Sequence, residues 1–168
     1  SFAAEMNSKV SAIGLDVNDT EAMRRAMQNV DIVMNTSGPF YRFGVPILQA
    51  AINEGCNYLD ICDDWEPTIK MLELDQSAKT AGVTAIVGLG ASPGISNMLA
   101  LLAMQELDKV FSVFTGWDLG GAKPEEETSQ EGLNAAMAHG IEQMTGKVQI
   151  YRDGAAEFVR PLAPVPVH

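Results

Sequence analysis

Asp31-Ile32-Val33-Met34-Asn35, followed by Thr36-Ser37-Gly38-Pro39-Phe40-Tyr41, is the stretch whose reading decides the fold. A short apolar run bounded by turn residues reads as a buried strand. Residues 57–61 and 83–87 repeat the pattern, and the last of these runs into Gly88-Leu89-Gly90-Ala91-Ser92-Pro93-Gly94. Helical periodicity fills the gaps. Val45, Leu48, Ala51 and Ile52 form one apolar face that Gly55 closes. A longer helix over residues 66–81, with Asp64 near its start, turns Ile69, Leu72 and Ala78 inward and stops at Gly82. Strand, helix, strand, helix, strand with short connections predicts an α/β fold with a parallel sheet and right-handed crossovers. Ligands bind outside the carboxyl ends of such strands. The unusual residues of this chain collect there.

Upstream, residues 10–15 read as a strand, and Asn18 or Asp19 caps a helix, with Asn18-Asp19-Thr20-Glu21 in capping-box form. Ala22, Met23, Ala26, Met27 and Val30 would face the sheet, the methionines as core filler. Downstream, Ser92 as cap and Pro93 at the first helical position open a helix through Ile95, Met98, Leu99, Leu102 and Met104. The pattern then changes. Residues 109–117 alternate like a strand, a Gly- and Glu-rich loop follows over 120–128, and a helix is expected over 129–144. Two antiparallel strands, 147–151 and 157–159, flank the turn pair Asp153-Gly154. The expected organisation is a partial Rossmann-like parallel sheet with flanking helices over residues 1–107, then the start of an α+β second domain over 108–168.

Eleven Lys and Arg against twenty-two Asp and Glu give a net charge of −11. Such a balance argues against nucleic-acid or anionic-membrane partners, which need clustered cations. No apolar run approaches the roughly 18 residues of a membrane span, and no signal-peptide pattern opens the chain. Cys56 and Cys62 flank a strand that holds them too far apart to bridge. Two isolated cysteines fit a reducing compartment, with cytoplasm as the default.

Asn35, Thr36, Ser37 and Gly38 bring an amide, two hydroxyls and open backbone to a strand end, which suits a nicotinamide ribose or a diphosphate. The plain alternative is a strand-to-helix connection. The glycine turn superficially resembles a dinucleotide fingerprint, but Pro93 stands where the third glycine belongs, so a substrate carboxylate or the nicotinamide end fits it better. Asp60 closes the middle strand, with Asp63 and Asp64 after it. Converging carboxylates could bind an ammonium group. No metal is expected, because His139 and His168 are the only histidines and lie far off in sequence. Asp63 or Asp64 reads as a helix cap, Tyr58, Trp65 and Trp117 as packing residues, and Cys62 as a buried thiol without a histidine partner.

Taken together, Asp16-x-x-Asp19, Val30-Asp31-Ile32-Val33-x-Asn35-x-x-Gly38-Pro39-Phe40, Gly55-x-x-Tyr58-Leu59-Asp60 and Gly90-Ala91-Ser92-Pro93-Gly94-Ile95-x-Asn97 resemble the NAD(P)-binding domain of the saccharopine dehydrogenase (saccharopine reductase-like) family. The resemblance covers roughly residues 11–101, with Tyr151-Arg152-Asp153-Gly154 similar to a strand-turn of the family's second domain. It implies an oxidoreductase moving hydride between NADP or NAD and an amino-acid-derived carbon–nitrogen centre. It places Asp16, Asn35, Thr36, Ser37, Gly38, Tyr58 and Gly90 along the cofactor. Pro39, Phe40, Tyr41, Asp60, Ser92, Pro93 and Gly94 would border the nicotinamide and an amino-acid-like substrate. No residue is singled out as a general acid or base.

One departure matters. A Rossmann domain begins with a strand and a Gly-x-Gly-x-x-Gly turn, and neither precedes Val10. The chain therefore reads either as an excerpt of such an enzyme or as a truncated, non-catalytic descendant that restores its sheet by homodimerising. A small-molecule sensor is a third, weaker reading.

Overall fold

The alternation of apolar residues in the three strands sets which side of the sheet is covered. In the computed structural model, which describes residues 9–116, 141 and 144–163, β1 (Ile32–Asn35), β2 (Asn57–Asp60) and β3 (Ala85–Ile86) pair in parallel in that order. Val33 lies opposite Tyr58 and Tyr58 opposite Ala85, while Met34, Leu59 and Ile86 share the next row. Successive side chains point to opposite faces. The row through Val33, Tyr58 and Ala85 packs into the core, whereas Ile32, Met34 and Ile86 remain 52%, 68% and 45% exposed. Among the described residues, helices cover one face of the sheet.

That covered face carries α1 (Thr20–Met27), α2 (Phe40–Asn53), α3 (Trp65–Leu72) and α4 (Asp75–Ala81). Met23 and Met27 of α1 are buried, as core filler should be. Leu48, Ala51 and Ile52 of α2 form the centre of the core with Ile47, and Val45 packs at its margin. Gly82 ends α4 with φ +69°, a left-handed conformation that favours glycine. Past the sheet come α5 (Ile95–Gln105) and the hairpin of β4 (Val148–Arg152) and β5 (Ala155–Val159). The hairpin is antiparallel, with Asp153 and Gly154 both at positive φ in its two-residue turn.

Several expectations need correction. Residues 10–15 form no strand; they are exposed, with no neighbouring strand to pair with among the described residues. Of the two caps expected for α1, it is Asp19 that serves, its Oδ1 accepting from the Ala22 amide at 2.9 Å, while Asn18 turns back to Asp16. The expected helix over 66–81 is two helices. At the break the Leu74 amide reaches back three residues, to the Met71 carbonyl, a tighter turn than the α-helix. Met71 and Ala78 face the core, whereas Ile69 and Leu72 are exposed.

Ser92 and Pro93 do not open α5. Gly94 does so, with φ +120°, after a cis Ser92–Pro93 peptide. None of the residues of α5 is buried. Residues 109–116 are irregular and not a strand, again without a pairing neighbour among the described residues. Trp117, His139, the loop over 120–128, most of the helix expected over 129–144 and the tail from Pro164 to His168 lie outside the described residues.

The inward assignment is open to measurement. Met71→Ala should cost about 2–5 kcal/mol, as deletion of a buried side chain does, whereas Ile69→Ala should stay within about 0.5 kcal/mol. Urea denaturation of the two variants would reverse this order if a single straight helix turned Ile69 inward.

Candidate functional site

All three strands end at one rim, and a buried chain of hydrogen bonds ties the ends together. Asn35 closes β1 and Asp60 closes β2, directly opposite each other in the sheet. The Ser37 amide donates to Asn35 Oδ1 at 2.9 Å, and Asn35 Nδ2 donates to the Tyr58 hydroxyl at 3.0 Å. That hydroxyl donates in turn to Asp60 Oδ2 at 2.8 Å. Asp60 Oδ1 accepts from the backbone amides of Cys62 and Gly88, at 3.0 and 2.8 Å. The Asp60 carbonyl takes the Leu89 amide at 2.7 Å. A single fully buried carboxylate thus reaches the loops after all three strands.

The glycine turn closes on itself. Gly90 and Gly94 form a bridge, with the Gly90 amide on the Pro93 carbonyl and the Ile95 amide on the Gly90 carbonyl. A Cβ on Gly94 would meet the Gly90 oxygen at 2.2 Å, so packing within the turn, besides its positive φ, demands glycine there. Asn97 Oδ1 accepts from the Gly94 amide at 3.1 Å and secures the start of α5. The spacing Gly94-x-x-Asn97 carried that signal in the sequence.

Apart from Asp16, the expected site residues divide into three groups. Asn35, Tyr58 and Asp60 are buried and bonded to one another. Thr36 is exposed, Ser37, Gly38 and Pro39 are half-buried, Phe40 is buried in the core, and Tyr41 is half-exposed beside them. Ser92 and Pro93 line an open cleft of about 560 Å³, together with Trp65, Asn97 and residues of β4, while Gly90 and Gly94 belong to the turn behind it. Sequence reasoning missed the contribution of the hairpin to this cleft. The Trp65 ring meets Phe158 of β5 edge-on, 5.5 Å between centroids, a long-range contact that no local pattern announces.

Asp16 is exposed, and its carboxyl lies below the ordinary range mainly because Asn18 donates to it from backbone and side chain. Arg42, in the first turn of α2, adds a smaller pull. Burial pushes the Cys62 thiol up, against a hydrogen bond from Thr68, and burial likewise raises Cys56. Both thiols are free and buried, which makes them poor nucleophiles.

The family model described as the saccharopine dehydrogenase NADP binding domain matches residues 1–86, just over half of the chain. The chain belongs to this family. A saccharopine dehydrogenase [NADP(+), L-glutamate-forming] of Schizosaccharomyces pombe is 32% identical over 103 residues, 61% of this chain and 21% of that protein. The enzyme of the same name from Pyricularia oryzae is 32% identical over 95 residues, 56% of this chain and 20% of that protein. Apo saccharopine dehydrogenase (L-Glu forming) from Saccharomyces cerevisiae matches in structure with a TM-score of 0.52 and 25% identity, over 59% of this chain and 21% of that one. The chain spans about a fifth of the length of these relatives. The family and the two curated relatives are named for NADP, and nothing in these matches favours NAD.

The buried phenol makes a pH prediction. Burial is the main force holding the Tyr58 hydroxyl well above its ordinary 10.0; the Asn35 hydrogen bond opposes it and nearby Asp60 reinforces it. The folded chain keeps a proton that an unfolded tyrosine gives up above about pH 10, so stability is fully present below that pH and falls as the pH rises further. Urea midpoints between about pH 9 and 11 should fall less steeply in Tyr58→Phe, although that variant starts lower. An unchanged slope would show that Tyr58 is not the group responsible.

Proposed function

We propose that the chain is part of an NADP-dependent oxidoreductase that transfers hydride at an amino-acid-derived carbon–nitrogen centre. The observation that carries this reading is the rim itself, where one buried carboxylate holds the turns after β2 and β3 and, through Tyr58 and Asn35, the loop after β1. In an open parallel sheet, such a rim is where a nucleotide lies. The residues present suit the nicotinamide end of a dinucleotide. Thr36, Ser37 and Gly38 keep hydroxyls and backbone open to a ligand, whereas the Asn35 side chain turns inward and braces them. Those three residues would hold the cofactor, with Tyr58 supporting them from within and Gly90 in the neighbouring turn. Asp16, with Arg42 near it, would lie toward the adenine.

NADP, when bound, supplies the hydride acceptor; the protein supplies orientation and electrostatics. Tyr41, beside Pro39, and the cleft at Ser92 and Pro93 would receive an amino-acid-like substrate. Asp60 and Gly94 would contribute indirectly, by fixing the turns that carry those residues.

A second reading, a non-catalytic module that self-associates, draws on the sheet face left uncovered among the described residues and on α5, none of whose residues is buried among them. Exposed apolar surface of that kind favours association.

Two measurements separate these readings. The polypeptide that carries this chain should reduce NADP+ and release L-glutamate when given saccharopine, the activity named for its relatives. Ser37→Ala, losing a hydroxyl at the cofactor rim, should lower kcat/KM by about tenfold, on the order of a lost hydrogen bond. A chain that binds neither NADP+ nor NADPH, yet runs as a dimer in light scattering, would favour the module.

A further inference from the structure

We infer that Tyr58 and Asp60 are positioning residues that lock the loop after β1 to the turns after β2 and β3, so that the cofactor side and the substrate side of the rim move as one body. The inference rests on the functional reading above for what those sides bind, but not for the coupling itself. Strand pairing runs out here, since the ladder ends at Asn35 opposite Asp60 and at Leu59 opposite Ile86. Beyond that level the Leu89 amide still meets the Asp60 carbonyl, and the side-chain chain supplies the rest. Tyr58 and Asp60 are two residues apart on β2, hence on the same face of the sheet.

The direction of each hydrogen bond follows from chemistry. A carboxylate only accepts, so the Tyr58 hydroxyl must donate to Asp60 Oδ2. The phenol oxygen is then left to accept, and Asn35 presents Nδ2 to it. That orientation turns Asn35 Oδ1 toward the Ser37 amide. On the other side, Asp60 Oδ1 holds the Cys62 and Gly88 amides. Every proton along the path points toward Asp60. With Asn35, Tyr58 and Asp60 all buried, water cannot readily replace a lost partner, and loss of one bond leaves the next group unsatisfied. A change at either end is therefore felt at the other.

Amide hydrogen exchange of the full chain, read residue by residue in NMR, tests the coupling. In Tyr58→Phe the amides of Ser37, Cys62 and Gly88 should exchange about tenfold faster or more. The Cys56 amide, bonded to the Ala51 carbonyl at the far end of β2, should keep its rate. Equal acceleration everywhere would mean a merely structural role, and an unchanged Ser37 would mean that the two sides are independent; either result overturns the inference.

Asp60→Asn provides a gentler variant if the first folds poorly. It retains an oxygen for the Cys62 and Gly88 amides but offers the Tyr58 hydroxyl an NH2 group, so Ser37 should loosen while Gly88 stays protected. Titration with NADP+ separates the two claims. A wild-type chain that fails to bind would sink the functional reading and leave the exchange result standing. Binding that is as tight in Tyr58→Phe as in the wild type would overturn the positioning role.

Discussion

A buried carboxylate is tolerated only where donors replace the water it has lost. Asp60 meets that condition with the Tyr58 hydroxyl and the amides of Cys62 and Gly88. The rest of the rim depends on it. The Cys62 amide fixes the path out of β2 toward α3, the Gly88 amide fixes the entry to the glycine turn, and Tyr58 carries the constraint across to Asn35. A hydrophobic residue at position 60 could fill the volume, but would leave two amides and the phenol O–H without an acceptor. The polar choice costs desolvation and in return gives the loops one geometry.

Much of this was legible in the sequence. The three strands, the parallel order implied by the helices between them, the buried methionines of α1 and the buried face of α2 follow from periodicity, because helix and strand patterns differ in their repeat. Val30, by contrast, expected on the inward face of α1, lies past its end and is exposed. The Asp153-Gly154 turn was legible for a local reason, since both positions take positive φ. The saccharopine dehydrogenase family could be recognised from the order of its motifs, and the match over residues 1–86 bears that out.

Other features were not legible, each for a physical reason. Ser92-Pro93 has the composition of a helix entry, yet the turn is governed by the contact of Gly94 with the Gly90 backbone, four residues back. Residues 10–15 and 109–116 have strand composition, but a strand exists only where a partner supplies hydrogen bonds, and among the described residues neither stretch has one. Asp60 stands out in the sequence as the charged residue that closes β2, and it is fully buried. Its partners Tyr58 and Cys62 lie close by in sequence, but Gly88, and Asn35 which extends the path through Tyr58, come from other parts of the chain and could not be read from spacing alone.

The edge-on contact of Trp65 with Phe158 joins the start of α3, where Trp65 lines the cleft, to the hairpin. An indole in that position is partly open to water, at 46% exposure, and its emission depends on what surrounds the ring. Entry of a ligand, or parting of the hairpin from α3, alters those surroundings directly. The chain thus carries a built-in fluorophore in the lining of its own cleft, whose emission would report a ligand bound there without an added label.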